Sequence, residues 1–158
     1  WMVNGRHRIW WRLREQPALL QLRAVARDLN VRSGHATMLL TQDTYLAVET
    51  GMRVPHGLEM GPFSYYPGLT REQAESLNVV NREMLEELIR GAGAPVAALS
   101  GYSFVMAAPA VDRLSAEETQ NWWALVEAHY TPVAEVPDFG QGPTTLRVYE
   151  RRSGGGER

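Results

Sequence analysis

The chain contains no cysteine and no lysine, and both absences exclude whole classes of function. Without cysteine it cannot form disulfides, use a thiolate nucleophile or bind zinc through cysteine, and it carries no sign of the redox state of its compartment. Without lysine it cannot form a Schiff base, build a phosphate-binding loop of the GK[ST] type or act as a protein kinase. All 16 basic residues are therefore arginine, a usage typical of a GC-rich genome.

The sequence also lacks long hydrophobic runs. No stretch of roughly 18 apolar residues occurs, so we predict no membrane-spanning helix in this chain, and no signal peptide is recognised. A composition of 44% hydrophobic and 22% charged residues over 158 positions fits one globular domain with a substantial core. We predict a single domain at residues 15–150, after a distinct segment at 1–14 and before a flexible tail at 151–158. Because the chain begins with Trp1 rather than methionine, we also expect a fragment, a processed product or incomplete coverage of a longer chain.

Positive charge and tryptophan are concentrated at the start of the chain. Residues 1–32 carry seven arginines against two acids, whereas residues 33–158 carry nine arginines against 16 acids. Indole rings favour the headgroup zone of a bilayer and arginine pairs with lipid phosphates, so we expect a juxtamembrane or docking segment here. The expected docking residues are Trp1, Arg6, Arg8, Trp10, Trp11 and Arg12. The alternative is that this cluster packs on its own domain, since tryptophan is often buried.

Hydrophobic periodicity and turn residues predict an alternation of helices and strands. Helical spacing predicts helices at residues 15–30, 44–50, 70–90 and 115–129, and capping boxes open the last two at Thr70 and Ser115. Short apolar runs predict strands at residues 36–41, 52–54, 95–99, 130–136 and 144–149, of which the last two pair antiparallel. This order predicts an α/β fold with a small, mainly parallel sheet flanked by helices and a C-terminal antiparallel strand pair.

Polar residues follow two of the predicted strands at the edge where open α/β sheets bind ligands. An amide, an acid and two hydroxyl groups occupy residues 42–45, and a serine and a tyrosine occupy residues 100–102, so we expect these two exits to lie near one another. We predict that Asp43, Tyr45 and Tyr102 contact a ligand or partner. The alternative for Asp43 is a helix cap, which needs no ligand.

The loop at residues 55–67 is too long and too apolar for a simple connection. It contains a histidine, a glutamate and three aromatic residues that we predict to contact a ligand or partner: His56, Glu59, Phe63, Tyr65 and Tyr66. Two alternatives stay open. The aromatic rings can instead cover the sheet edge as part of the core, and His56 and Glu59 can form an ordinary hydrogen-bonded pair rather than a general acid/base pair.

No motif in the sequence specifies a reaction, a metal or a cofactor. The four histidines are not at metal-ligand spacing, and Ser100 lacks the first glycine of a nucleophile elbow. No glycine-rich phosphate fingerprint follows a predicted strand. We therefore expect no catalytic residue, no metal, no cofactor and no nucleic acid partner.

One part of the chain resembles a known family. The segment TQDTYLAVETGMRVPHGLEMGPFSYYP, the predicted helix at residues 70–90 and the strand PVAALSG resemble the soluble C-terminal portion of bacterial membrane glycosyltransferases similar to the dolichyl-phosphate-mannose protein mannosyltransferases. The resemblance covers most of residues 12–150 and rests on an ordered string of an apolar strand, D-x-Y-x-A, G-x-x-V-P and an aromatic loop. Such enzymes use polyprenyl-phosphate sugars, and their catalytic acids lie in loops between transmembrane helices.

The resemblance implies an extracytoplasmic, periplasmic α/β domain that is attached to, or derived from, a multi-span membrane enzyme. It carries no catalytic residue over to this chain. An arginine-rich flank is instead typical of the cytoplasmic side, so the two indications of membrane side differ.

These observations predict a non-catalytic domain that is held at a membrane surface through residues 1–14 and contacts a partner or a lipid-linked sugar donor through residues 55–67. The expected partners are a membrane surface or an integral-membrane protein complex, together with a polyprenyl-phosphate sugar. The alternative is a stand-alone structural accessory subunit of an integral-membrane assembly, such as a respiratory or photosynthetic complex. An independent soluble enzyme acting on a small molecule needs convergent polar groups that the sequence does not reveal.

Overall fold

A computed structural model describes residues 17–34, 36–91, 93–104, 114–140 and 144–152. The expected docking segment and most of the expected tail lie outside these residues, so both stay predictions. Within the described ranges, no helix combines the length and the apolar content that crossing a membrane requires.

The described residues form five α-helices, one 3-10 helix and four strands. In chain order these are α1 (Ala18–Ser33), β1 (Leu39–Leu40), α2 (Thr44–Thr50), the 3-10 helix (Gly61–Phe63), α3 (Arg71–Ser76), α4 (Arg82–Arg90), β2 (Val96–Leu99), α5 (Ala116–His129), β3 (Tyr130–Phe139) and β4 (Thr144–Arg151). The predicted α/β class is confirmed. The predicted C-terminal antiparallel pair is confirmed as well, because β3 pairs antiparallel with β4.

The four strands form one mixed sheet in the order β1-β2-β4-β3. β1 pairs with β2 in parallel, whereas β4 pairs antiparallel with both β2 and β3. The predicted mainly parallel sheet is therefore wrong, because the C-terminal hairpin places β4 directly beside β2, where Leu99 pairs with Arg147. The strand predicted at residues 52–54 is reduced to a single parallel bridge between Met38 and Arg53.

Helices cover both faces of the sheet. Since successive residues of a strand point to opposite sides, alternate residues of β2 pack against different helices. Val96 and Ala98 of β2 pack in one buried cluster with leucines of α1 and α2. Ala97 and Leu99 pack in a second cluster with apolar residues of α4 and α5. The domain therefore has three layers, with α1 and α2 on one side of the sheet and α4 and α5 on the other.

The helix predicted at residues 70–90 is divided into α3 and α4. A capping box at Thr70 starts α3 as the sequence predicts, and Leu77 ends it. Asn81 then caps α4, because its side-chain oxygen accepts a hydrogen bond from the N–H of Met84 (2.9 Å). The prediction of one continuous helix is therefore wrong.

A tertiary contact explains the interruption. The N–H of Val80 donates to the carbonyl of Ser64 (2.8 Å), and the carbonyl of Val80 accepts from the N–H of Tyr66 (2.9 Å). These bonds require extended backbone at Val80, and apolar spacing alone does not reveal them. They also fix the loop at residues 55–67 against the domain.

Candidate functional site

The predicted site lies where β1 and β2 end. Since these two strands are parallel, the residues that follow them, 41–43 and 100–104, leave the sheet at the same edge. We call this the carboxyl edge. Four polar residues here are buried, namely Thr41, Gln42, Ser100 and Ser103. Buried polar groups require hydrogen-bond partners, so their contacts determine the shape of the edge.

Gln42 joins three segments of chain at the carboxyl edge, and it is only 2% exposed. Its Nε2 donates to the carbonyl of Gly61 (3.3 Å), and its Oε1 accepts from the N–H of Phe104 (2.8 Å). Gly61 has a φ of +63°, and a Cβ at this position would lie 2.8 Å from the carbonyl oxygen of Gln42. Glycine is therefore required for the 3-10 helix to lie directly on the chain after β1.

Phe104 has a backbone conformation that is rare for a bulky residue, with a φ of +63°. Its buried ring stacks on Trp122 with the centroids 5.9 Å apart, and it meets Trp123 edge-on at 5.4 Å. These aromatic contacts and the hydrogen bond that its N–H donates to Gln42 Oε1 hold the residue in place. Backbone strain of this kind costs about 1–3 kcal/mol and concentrates at functional sites.

In the turn after β2, the serine hydroxyl oxygens accept hydrogen bonds from backbone N–H groups of the same turn. Ser100 Oγ accepts from the N–H of Tyr102 (3.2 Å), and Ser103 Oγ accepts from the N–H of Ser100 (3.0 Å). A Cβ on Gly101 would lie 3.1 Å from the side chain of Thr144, so the start of β4 reaches the same edge. Ser100 is buried and its hydroxyl group supports the turn, which does not match the exposed serine of a nucleophile elbow.

Asp43 occupies the N-cap position of α2 but makes no side-chain capping bond. Its own N–H donates to Thr41 Oγ1 (3.0 Å). Its Oδ2 is buried and has no hydrogen-bond partner among the described residues. Burial raises the pKa of the Asp43 carboxyl above its ordinary value, and hydrogen bonds from the side chain and backbone of Ser100 oppose that shift. Asp43 therefore does not make the helix-capping hydrogen bond that was the alternative prediction for this residue.

Three of the predicted contact residues expose aromatic rings. Tyr45 at the start of α2 is 72% exposed, Phe63 at the end of the 3-10 helix is 57% exposed, and Tyr102 after β2 is 43% exposed. All three belong to segments that meet at Gln42 or follow it directly. Tyr66 is half-buried, and its backbone pairs with the chain before α4.

Tyr65 lies in the core instead. Its ring is buried and meets Trp122 edge-on at a centroid distance of 5.7 Å. Burial raises the pKa of the Tyr65 hydroxyl, and its oxygen has no hydrogen-bond partner among the described residues. The residue therefore follows the alternative in which a loop ring covers the sheet as part of the core, and we leave it out of the exposed surface.

His56 and Glu59 form the hydrogen-bonded pair that the sequence left open. His56 Nδ1 lies 3.2 Å from Glu59 Oε1, and Glu59 Oε2 accepts from the N–H of Gly57 (2.7 Å). Both side chains are exposed, and the glutamate stabilises a turn in which Gly57 has a φ of +89°. This geometry explains the pair as part of the loop structure.

Sequence reasoning placed Gln42 among the polar residues after the first strand without predicting it as a contact residue, and it missed Phe104. Gln42 carries a weak signal, because a polar residue directly after a buried strand marks a sheet edge, whereas nothing in the sequence marks the conformation of Phe104. The predicted docking residues lie outside the described part of the chain: Trp1, Arg6, Arg8, Trp10, Trp11 and Arg12. Where the structure is described, no three metal-ligating side chains come together.

The carboxyl edge can therefore accept hydrogen bonds through Asp43 and offer aromatic faces through its exposed rings. Both properties suit recognition of a ligand that is rich in hydroxyl groups. Comparisons of the chain with protein families, with curated proteins and with solved structures found no match.

Proposed function

We propose that this chain is a non-catalytic recognition domain of, or derived from, a membrane glycosyltransferase that uses a polyprenyl-phosphate sugar. In this proposal it binds the sugar of the lipid-linked donor at the carboxyl edge, on the extracytoplasmic, periplasmic side of the membrane. The sequence resemblance supplies the class of donor and the side. The observation that carries the proposal is the buried Oδ2 of Asp43, which lacks a partner among the described residues.

A buried carboxylate oxygen without a donor is costly, typically by 1–3 kcal/mol or more. Asp43 keeps this cost even though Ser100 lies beside it and helps to stabilise the charge. A ligand hydroxyl group that donates a hydrogen bond to Oδ2 removes this desolvation cost. The free energy that the unpartnered oxygen costs in folding is therefore recovered on binding. Sugars present several such hydroxyl groups on a rigid ring, which also limits the entropy lost on binding.

The exposed rings give the sugar a second type of contact. Tyr45, Phe63 and Tyr102 offer flat apolar faces, and the two tyrosines add a hydroxyl group each. The negative charge of Asp43 repels the donor's phosphate. The sugar ring therefore faces Asp43, and the phosphate and the polyprenyl chain extend away from it.

Under this proposal the charged form of Asp43 binds the sugar but destabilises the folded protein, so both effects depend on the pKa of Asp43. Since the folded-state pKa lies above the ordinary value of 3.8, the folded protein favours the protonated carboxyl. The stabilising contribution of this group is complete below pH 3.8 and is lost as the pH rises through the raised pKa. At pH 7 the wild-type protein therefore carries a cost that the substitution Asp43→Asn removes.

The experiment measures binding and stability of Asp43→Asn together. Thermal shift and calorimetry use methyl glycosides of mannose, glucose and galactose and a short-chain polyprenyl-phosphate mannose. We expect saturable binding of at least one glycoside by the wild type, strengthening as the pH rises through the pKa of Asp43. Asp43→Asn should weaken it about tenfold or more, because a hydrogen bond to a charged group contributes about 1.5–3 kcal/mol.

The same substitution should raise the midpoint of urea unfolding at pH 7, and the gain should disappear below pH 3.8. Glu75→Gln removes an exposed acid on α3 and should change neither property. Absence of saturable binding to every glycoside tested, or equal binding by Asp43→Asn, would contradict the proposal. That result favours the accessory-subunit alternative, which requires no sugar site.

A further inference from the structure

Asp43 differs from every other acid in the described part of the chain, because it is partly buried and forms no ion pair there. Most of the other acids pair with an arginine, and Glu59 pairs with His56. Burial raises the pKa of the Asp43 carboxyl, and among the described residues only Ser100 opposes that shift. The remaining acids without an ion pair are exposed to solvent: Glu72, Glu75, Glu117, Glu127 and Asp138.

The chain segments around Asp43 supply no balancing positive charge. Three segments meet at the carboxyl edge, namely residues 41–45, 56–64 and 100–104. None of them contains an arginine, and the chain has no lysine. Their one basic side chain is His56, which already faces Glu59 at 3.2 Å. These segments are therefore acidic, and a buried carboxylate is stabilised by an opposite charge that only a ligand can bring to them.

Aromatic faces border the same segments. Tyr45 lies two residues after Asp43, Tyr102 follows β2, and Phe63 belongs to the 3-10 helix that contacts the chain after β1. All three rings are exposed. The face of an aromatic ring attracts a cation, and the attraction increases when the cation is removed from water. Exposed rings beside an unbalanced carboxylate therefore suit a positively charged ligand group.

We propose that the ligand of the carboxyl edge carries an ammonium group, so that the sugar recognised there is an amino sugar. This inference rests on the proposed function and names the class of sugar that the same site accepts. The ammonium group donates a hydrogen bond to Asp43 Oδ2, and its charge balances the carboxylate. A neutral hydroxyl group supplies the hydrogen bond but not the charge, and charge-assisted hydrogen bonds are roughly twice as strong as neutral ones.

The carboxylate suits an ammonium group better than other cations. Oδ2 is the one oxygen of Asp43 that is both buried and unpartnered among the described residues, so a single compact donor fits it. A guanidinium group instead binds both oxygens of a carboxylate as a planar fork. A metal ion requires several ligands, and the described ranges bring no three metal-ligating side chains together.

The test compares matched glycosides by calorimetry at neutral pH with the full chain of 158 residues. Methyl glycosides of glucosamine, mannosamine and galactosamine are measured beside the methyl glycosides of glucose, mannose and galactose. The N-acetylated forms keep the nitrogen atom but remove its charge. We expect at least one amino glycoside to bind about tenfold more tightly than its neutral parent and its N-acetylated form, because it alone forms an ion pair with Asp43.

Three variants locate the source of this preference. Asp43→Asn removes the negative charge and should reduce the preference to less than about twofold. Tyr45→Leu keeps an apolar side chain but removes the aromatic face, so it should weaken the amino glycoside about two- to fivefold more than the neutral parent. Glu75→Gln, which removes an exposed acid of α3 without an ion pair, should keep the full preference.

The outcomes distinguish failure of this inference from failure of the proposed function. If neutral glycosides bind as tightly as amino glycosides, the inference is wrong and the sugar site stands. If no glycoside of either type binds, both are wrong. An unchanged preference in Asp43→Asn assigns the ion pair to another acid, such as Glu59, and overturns the inference alone. Ethanolamine that binds as tightly as the amino glycosides shows recognition of an amine without a sugar, which contradicts both.

Discussion

Replacement of Gln42 by alanine is the sharpest test of how the carboxyl edge is held together. The side chain is buried and satisfies two backbone groups that belong to distant parts of the chain, the carbonyl of Gly61 and the N–H of Phe104. Alanine removes both partners at once. Both backbone groups then lack their side-chain partner in the folded protein.

The expected loss follows from these two groups. Each buried backbone group that loses its partner costs about 1–3 kcal/mol, and the cavity left by the amide adds to this sum. Relaxation of the strained backbone at Phe104 returns part of it. We therefore expect Gln42→Ala to lower the free energy of unfolding by about 3 kcal/mol, which for a chain of this size lowers the Tm by roughly 6–12 °C.

Urea unfolding followed by circular dichroism measures this loss, and two further variants isolate its cause. Gln42→Met keeps most of the volume but neither hydrogen bond, so it should lose nearly as much stability as Gln42→Ala. Gln21→Ala removes an exposed hydrogen bond to the carbonyl of Pro137 (2.9 Å) and should cost less than about 1 kcal/mol. A stability of Gln42→Met equal to that of the wild type would refute the reasoning, because the bonds then contribute nothing.

Two further predictions use matched pairs. Gly61→Ala should cost about 2–4 kcal/mol, because it combines a φ of +63° with a Cβ only 2.8 Å from a carbonyl oxygen, whereas Gly51→Ala has a φ of +72° but open space and should cost only about 1 kcal/mol. Equal losses in urea unfolding would mean that the 3-10 helix does not pack on the chain after β1. Tyr65→Phe removes a buried hydroxyl group without a partner among the described residues and should be neutral or stabilising, whereas Tyr130→Phe removes a bond to the carbonyl of Ala94 (3.0 Å) and should cost about 1–3 kcal/mol. A clear loss of Tm in Tyr65→Phe would indicate a partner for that hydroxyl group and contradict this prediction.

Local chemistry made some elements predictable from the sequence. The bounds of α2 match the predicted residues 44–50, because Gly51 takes the left-handed conformation that ends the helix. The capping boxes at Thr70 and Ser115 both form as predicted. Each of these features depends on residues within four positions of one another, which a single sequence displays directly.

Features that depend on distant contacts were not predictable in the same way. The insertion of β4 beside β2 pairs residues about fifty positions apart, and no pattern in either strand specifies that neighbour. The interruption between α3 and α4 has the same origin, because Val80 pairs with the loop at residues 55–67. Apolar periodicity describes which side is buried and not which backbone groups will pair.

The features of the candidate site also differ in whether the sequence alone could predict them. Asp43 and the exposed rings of Tyr45, Phe63 and Tyr102 were identifiable because strand exits and aromatic loops are visible in sequence. The contacts of Asp43 were not, since a helix cap and a carboxylate with an unpartnered Oδ2 occupy the same position before a helix. Only the fold distinguishes them, because burial of Oδ2 depends on how the neighbouring loops pack.

Several polar groups at the amino edge, where β2 begins and β4 ends, are satisfied by tertiary hydrogen bonds, whereas the carboxyl edge keeps one buried carboxylate oxygen without a partner among the described residues. At the amino edge, the Tyr130 hydroxyl donates to the carbonyl of Ala94, and Arg151 donates to the carbonyl of Ile89 and to Tyr130. At the carboxyl edge, Phe104 has a positive φ and Asp43 Oδ2 has no hydrogen-bond partner among the described residues. Strain of this kind persists where the surrounding structure enforces it, and it occurs most often at active and ligand-binding sites. This unpartnered oxygen is the reason why we propose the carboxyl edge, rather than the amino edge, as the recognition site.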